Sequence, residues 1–205
     1  MKKAFAIALV MIMAIASVPS AVWAASASSA PITTSAVVDA TLTLNVVLKK
    51  NDFAGATVTT MDFGKLINIG TGTLRSSPTS TTGTGAVAAF ISANTSGTAY
   101  TITQSGTAMS NGAATLPSGA LTVVPTSSAA DNGGVALPAG ASVGTAGTWV
   151  GTRTLYNSGA GAAVRNVVCY YSVTDDAAAG ATTGIPLSQP GGTYTGSVTI
   201  TVTTV

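Results

Sequence analysis

The chain has 205 residues, only 7% of them are charged, and its formal net charge is +2. It contains no histidine and no glutamate, so a Ser-His-Asp site, a Cys-His site and a Glu general acid are all excluded, and we expect a protein that is not an enzyme. The sequence has neither a basic face nor an acidic tail, which argues against a nucleic-acid partner.

Residues 1–24 are predicted to form a signal peptide. Lys2 and Lys3 precede an apolar run over residues 4–18, and a small-residue cleavage site ends at Ala24. We therefore expect export, and no membrane span in the mature chain, because no later apolar run approaches the ~20 residues that a spanning helix needs. Without the two lysines, the eight basic side chains become six and balance the six acidic ones. A neutral surface of small residues suits contact between identical copies.

The rest of the chain has the pattern of an all-β protein. No window shows the three-and-four spacing of an amphipathic helix, and β-branched residues dominate. Turn-rich pieces such as SNG, DNGG, NSGAGA and QPGG separate the candidate strands, which favours a β-sandwich with antiparallel sheets in one domain. Two glycine-rich runs, residues 70–75 and 83–87, lack the setting of a phosphate-binding loop and are predicted as turns. The predicted strands are residues 38–48, 57–63, 86–92, 99–104, 120–124, 148–157, 164–174 and 194–205.

The first and last of these strands have the most regular alternation. A period of two is typical of a strand with one face in a core. At the C-terminus, Tyr194, Val198, Ile200 and Val202 share a face. The two terminal strands either pair inside one sandwich or meet partners elsewhere. The apolar face of the first strand carries Val38, Ala40, Leu42, Leu44, Val46 and Leu48.

Two further features have alternative interpretations. Cys169 is the only cysteine, and its place in an alternating row with Val167, Tyr171 and Val173 predicts a buried thiol rather than a bridge between two chains. The pair Asp175 and Asp176 is interpreted as part of a solvated turn rather than a metal site.

Three segments carry a resemblance to a known family. They are VDATLTLNV (38–46), MDFGKL (61–66) and QPGGTYTGSVTITVTTV (189–205). Their order, after a signal peptide, resembles the archaic chaperone-usher pilins and the related spore coat protein U family. The class 5 fimbrial subunits are similar as well, since they also begin with an alternating donor strand.

The resemblance implies a structural major pilin subunit. Its domain, here residues 49–205, would be an incomplete immunoglobulin-like sandwich that lacks its last strand, and an N-terminal extension, residues 25–48, would complete the neighbouring subunit. A periplasmic chaperone would fill the open groove first, and an outer-membrane usher would help to replace it with the next subunit's strand. The product would be a cell-surface fibre for adhesion or biofilm formation. The implied donor residues are Val38, Ala40, Leu42, Leu44, Val46 and Leu48, and the implied groove residues are Val198, Ile200 and Val202.

A second hypothesis is a monomeric secreted binding module, for example for carbohydrate. Such sites present exposed aromatic rings, and Trp149 in GTWVGTR is the residue that could serve in this way. No cofactor is expected under either hypothesis.

Overall fold

The computed structural model of the protein describes residues 42–50, 55–68, 70–76, 87–95, 97–160 and 164–205. In these ranges the regular structure consists of strands and three short 3-10 turns, without an α-helix. The strands are β1 (Thr43–Lys50), β2 (Thr57–Val58), β3 (Leu66–Asn68), β4 (Thr73–Ser76), β5 (Val87–Asn94), β6 (Tyr100–Gly106), β7 (Leu121–Thr126), β8 (Ser142–Val143), β9 (Gly147–Thr148), β10 (Gly151–Asn157), β11 (Arg165–Val173), β12 (Ile185–Pro186) and β13 (Val198–Thr204).

The larger of two main sheets has the strand order β2-β1-β5-β11-β7-β9, and all of its pairs are antiparallel. β1 pairs with β5 along its whole length, from Thr43 opposite Asn94 to Lys50 opposite Val87. The N-terminal alternating segment is therefore part of a sheet of its own chain from Thr43 onward.

The second main sheet has the order β13-β6-β10-β8 and is also antiparallel. β13 pairs with β6 from Val198 opposite Gly106 to Thr204 opposite Tyr100. A small third sheet, β12-β4-β3, does not pair with either main sheet within the residues described, but Leu66, Leu74 and Ile185 of this sheet pack into the same core.

Both main sheets contribute side chains to one core. The inward face of β5 provides Ala89, Ile91 and Ala93, each at most 1% exposed, and Ile102 of β6 is fully buried in the same cluster. Antiparallel sheets that share a core in this way are consistent with a β-sandwich, so the predicted all-β class is confirmed.

Cys169 is also part of this core. It lies on β11 and is fully buried, as the sequence predicted. Burial raises the pKa of its thiol to about 12, because the thiolate would be desolvated. The pattern of β11 thus supports a structural thiol rather than a reactive one.

Several predicted element bounds were wrong. The predicted strand 57–63 ends at Val58, because the chain bends at Thr59 and Thr60 and turns again at Gly64, where φ is +66°. The run 70–75, predicted as a turn, contains the start of β4. The predicted strand 148–157 is two strands, since Gly151 at φ +84° interrupts the extended chain. β9 pairs with β7 and β10 with β6, so the chain crosses from one main sheet to the other beside Trp149.

Candidate functional site

β13 is the terminal strand of its sheet, and one of its edges is unpaired. Thr107 N donates to Ser197 O at 2.9 Å and Val205 N donates to Ala99 O at 2.9 Å, in the same register as the β6–β13 ladder. Since antiparallel partners exchange hydrogen bonds at alternate residues, the odd-numbered residues bond to β6. The backbone groups of the even-numbered residues from Val198 to Thr204 point away from it, and no strand in the described ranges pairs with them.

β1 presents an apolar face on the other main sheet. Leu44, Val46 and Leu48 lie opposite the core residues Ala93, Ile91 and Ala89 of β5, so they share the inward face of the sheet. Yet Leu44 is 39% exposed and Val46 is 37% exposed. Within the described residues, β2 pairs with β1 only at Leu48 and Lys49. The inward face at the start of β1 is therefore uncovered.

An apolar groove separates these two strands, and we call it the β1–β13 groove. A cavity of about 500 Å³ lies between Val46 and Leu48 on one wall and Val198 and Ile200 on the other. It continues into a second cavity of about 460 Å³ that shares Leu48 and Val198. Neither cavity has a charged side chain among its described lining residues. The further lining residues are Val47, Thr57, Val58, Thr59, Thr60, Met61, Phe63, Met109, Trp149, Tyr194, Thr195, Gly196 and Ser197.

The MDFG segment contributes to the lining of the groove. Asp62 Oδ1 accepts a hydrogen bond from Gly64 N at 2.8 Å, and the positive φ of Gly64 permits this tight turn. The turn directs Phe63 into the core, where its ring centroid lies 4.9 Å from that of Trp149. Met61, on the same segment, lines both cavities. The local turn thus positions two apolar side chains of the groove.

A buried polar network supports the base of the groove. Tyr171 Oη of β11 donates to Gln104 Oε1 at 2.6 Å, and Gln104 Nε2 donates to Trp149 O at 3.1 Å. Gln104 lies opposite Ile200 in the β6–β13 register. Burial raises the pKa of Tyr171, so its hydroxyl stays protonated and keeps donating. This network joins the two main sheets directly beneath the groove.

The structure brings part of the predicted site together. The predicted groove residues Val198, Ile200 and Val202 lie on the inward face of β13, and Val202 is only 8% exposed. Leu44, Val46 and Leu48, predicted as donor residues, lie on the facing wall formed by β1, and Leu42 precedes this strand with 50% exposure. Val38 and Ala40 lie outside the described residues. The transfer of this strand to a neighbouring subunit stays a prediction.

Sequence reasoning missed the remaining groove residues. Val58, Met61 and Met109 lie outside the terminal strands, and their alternation is too short to reveal a common surface. Met61 and Tyr194 could have been recognised from the sequence as candidate groove residues, since both lie in segments that carry the family resemblance. Tyr194 is fixed by its own hydroxyl, which donates to Pro190 O at 2.7 Å and accepts from Gln189 Nε2 at 2.9 Å.

The two adjacent aspartates have structural partners. Asp175 accepts hydrogen bonds from Thr71 and Thr73 and lies 3.5 Å from the guanidinium of Arg75. Asp176 Oδ1 accepts from Ala178 N at 2.9 Å and caps a 3-10 turn. In the described ranges no three His, Cys, Asp or Glu side chains are close enough to hold a metal ion. The same ranges contain no helix with the length and apolar character needed to cross a bilayer.

We compared the chain with protein families and with curated proteins. No protein-family model matches the chain, and no curated protein matches it significantly. The groove itself and the sequence segments around it are therefore the features that bear on function.

Proposed function

We propose that the protein is a structural subunit that polymerises by accepting a β-strand from another copy into the β1–β13 groove. One observation carries this proposal. The groove combines the unpaired backbone edge of β13 with apolar residues on each wall, Val46 and Leu48 on β1 and Val198 and Ile200 on β13. Leu44 continues the β1 row on the same face and is 39% exposed.

A strand is the occupant that fits both features. Its backbone would supply the hydrogen-bond partners that β13 lacks, and every second side chain would enter the apolar space between the walls. An exposed edge with aliphatic side chains is otherwise an aggregation hazard. Strand addition converts this hazard into a specific contact.

A fibre follows from the symmetry of such a contact. The donor segment and the groove are different surfaces, so each subunit can give one strand and accept one strand. A head-to-tail contact of this kind does not close on itself and therefore propagates. The near-neutral composition allows close approach of successive copies, because little charge repulsion opposes it.

The partners and location follow the family resemblance. A periplasmic chaperone would protect the groove before assembly, and an outer-membrane usher would order the exchange. The assembled fibre would lie on the cell surface and serve adhesion or biofilm formation. The mature subunit itself would act without catalysis.

Two neighbouring substitutions test the groove. Ile200→Asp places a charge on the apolar wall of β13, whereas Thr201→Asp places the same charge on the exposed outer face of the same strand. We expect Ile200→Asp to abolish filaments in electron micrographs, and Thr201→Asp to leave them intact. Filaments from both variants, or from neither, would contradict the proposed site.

No observation on the described residues supports the alternative of a carbohydrate-binding module. Trp149 is 3% exposed, and its ring packs against Phe63 and Tyr171. A buried ring cannot stack on a sugar. We therefore propose no second function.

A further inference from the structure

We propose that residues 32–42 of one copy form the strand that fills the groove of the next, while β1 remains in its own subunit as a wall of that groove. This inference rests on the proposed function. It divides the alternating N-terminal segment into a donor part and an acceptor part, at the start of β1.

β1 is held by its own sheet. It forms an antiparallel ladder with β5 over all of its eight residues, and Leu48 packs against the main core. If β1 separated from β5 and entered the groove of a neighbouring subunit, β5 would become a new edge of its sheet. Ala89, Ile91 and Ala93 would then lie on the inward face of that edge. These residues are at most 1% exposed in the folded chain. Donation by β1 would thus uncover part of one core in order to fill another.

The ladder also ends where the donor part begins. Thr43 pairs with Asn94, which is the last residue of β5. The chain after β5 turns at once, since Thr98 N donates to Thr95 O at 3.1 Å. Residues before Thr43 therefore have no continuation of β5 to pair with in their own subunit.

The residues before Thr43 continue the alternation in the same phase. One face carries Ile32, Thr34, Ala36, Val38, Ala40 and Leu42, and the other is mostly polar. A return into the subunit's own groove would require a tight hairpin between this segment and β1. Residues 32–43 contain no glycine, asparagine or proline, and their turn-favouring residues, Ser35 and Asp39, are not followed by the glycine that a two-residue hairpin turn favours. We therefore infer that the strand in the groove comes from a second copy.

Length and side-chain size agree with this assignment. At about 3.3 Å per residue, eleven extended residues span roughly 36 Å, and the seven residues of β13 span roughly 23 Å. The donor part is long enough to cover the free edge of β13 and leave a short connection. Three of its six inward residues, Thr34, Ala36 and Ala40, are small, which suits a space whose two walls already carry larger aliphatic side chains.

Full-length variants with different tags test the division. Val38→Asp should lose the ability to donate but keep an intact groove, and Ile200→Asp should lose the ability to accept but keep its donor part. Each should be monomeric alone, and the two co-expressed should form a mixed dimer that does not grow, detected by light scattering after size-exclusion chromatography. Val37→Asp, with its charge on the opposite face, is the matched control and should polymerise. Absence of the mixed dimer, when each variant is monomeric alone, would contradict strand addition itself.

Leu44→Asp then separates the two roles of the N-terminal segment. If β1 is a wall of the groove, this variant is an acceptor mutant, and it forms a dimer with Val38→Asp and none with Ile200→Asp. Val46→Asp is the second variant of the same wall and should behave identically. A dimer with Ile200→Asp alone, a dimer with neither partner, or continued polymerisation of Val38→Asp would overturn the division. The mixed dimer, or the monomeric state of Ile200→Asp, would then still support strand addition.

Discussion

Gly106 shows how one residue determines the shape of the groove base. It lies opposite Val198 in the β6–β13 ladder. A Cβ atom at this position would lie 2.4 Å from Trp149 O and 3.2 Å from the indole ring, so only glycine lets this part of the chain pass so closely. The close approach places the Trp149 backbone within reach of Gln104.

We expect Gly106→Ala to lower the free energy of unfolding by about 1–3 kcal/mol, because the added methyl group must displace backbone rather than a flexible side chain. Gly191→Ala is the matched control, since a Cβ there meets no atom within 4 Å. Urea unfolding followed by circular dichroism measures both variants. Equal stability of the two would show that the chain relaxes around Gly106 without cost.

Single residues of the core could be predicted where the alternation was long. The row of Val167, Cys169, Tyr171 and Val173 on β11 is at most 1% exposed, as expected from a period of two. Arg165 could not be predicted in this way. It is only 2% exposed because its guanidinium donates to the carbonyl oxygens of residues 127, 135 and 136, about thirty residues or more away in sequence.

At the level of elements, the sequence predicted the long strands and missed the short ones. β5, β6, β7 and β11 lie within two residues of their predicted bounds, because each contains an apolar run between clear turns. β3, β4, β8 and β12 have two to four residues in segments rich in glycine, threonine and serine, where no period can be recognised. The partner of each strand was also beyond prediction, since pairing depends on contacts between residues far apart in sequence.

Asp175 links one of these short strands to the main fold. It follows β11 and accepts hydrogen bonds from Thr73 of β4 and from Thr71, at 2.9 Å in the latter case. The hydrogen bond from Thr73 is the main reason that the pKa of Asp175 lies below its ordinary value, and Arg75 adds to the effect. The carboxylate form therefore stabilises the attachment of β4.

We expect Asp175→Asn to lower the free energy of unfolding by about 1–3 kcal/mol at pH 7. A depressed folded-state pKa gives stability that is present above the unfolded-state pKa of about 4, and this stability is lost as the pH falls through the folded-state pKa. The difference between the variant and the parent should therefore shrink at about pH 3, in urea titrations at both pH values. Asp176→Asn is the control, since asparagine also caps a turn. A difference that does not change with pH would exclude the carboxylate as its source.

At the scale of the whole molecule, the two main sheets share one core, and in the described part of the chain the β1–β13 groove is an opening beside that core. The sequence predicted the two strands that border this opening, through their alternation and through the family resemblance. It did not predict that β1 would pair with β5 of its own chain, because alternation shows that a strand has one apolar face without showing which sheet receives it.

Assembly should therefore stabilise each subunit. A strand in the groove would cover Leu44 and Val46 and pair the edge of β13, and each aliphatic side chain that becomes fully buried contributes up to about 1.5–3 kcal/mol. We expect the parent protein to run as a ladder in detergent and to collapse to one band only after boiling. The Ile200→Asp monomer should unfold at a lower temperature than the parent in calorimetry. A parent protein that melts at the same temperature as this variant would argue against groove occupancy.

The crossing of the chain between the two main sheets has an optical consequence. The sequence contains two tryptophans, and one of them, Trp23, lies in the predicted signal peptide. Trp149 would then be the sole indole chromophore of the exported chain, and it lies at the base of the groove beside Phe63. The protein thus has an intrinsic fluorophore in the lining of that cavity, and we expect its emission to follow the proposed entry of a strand without a label.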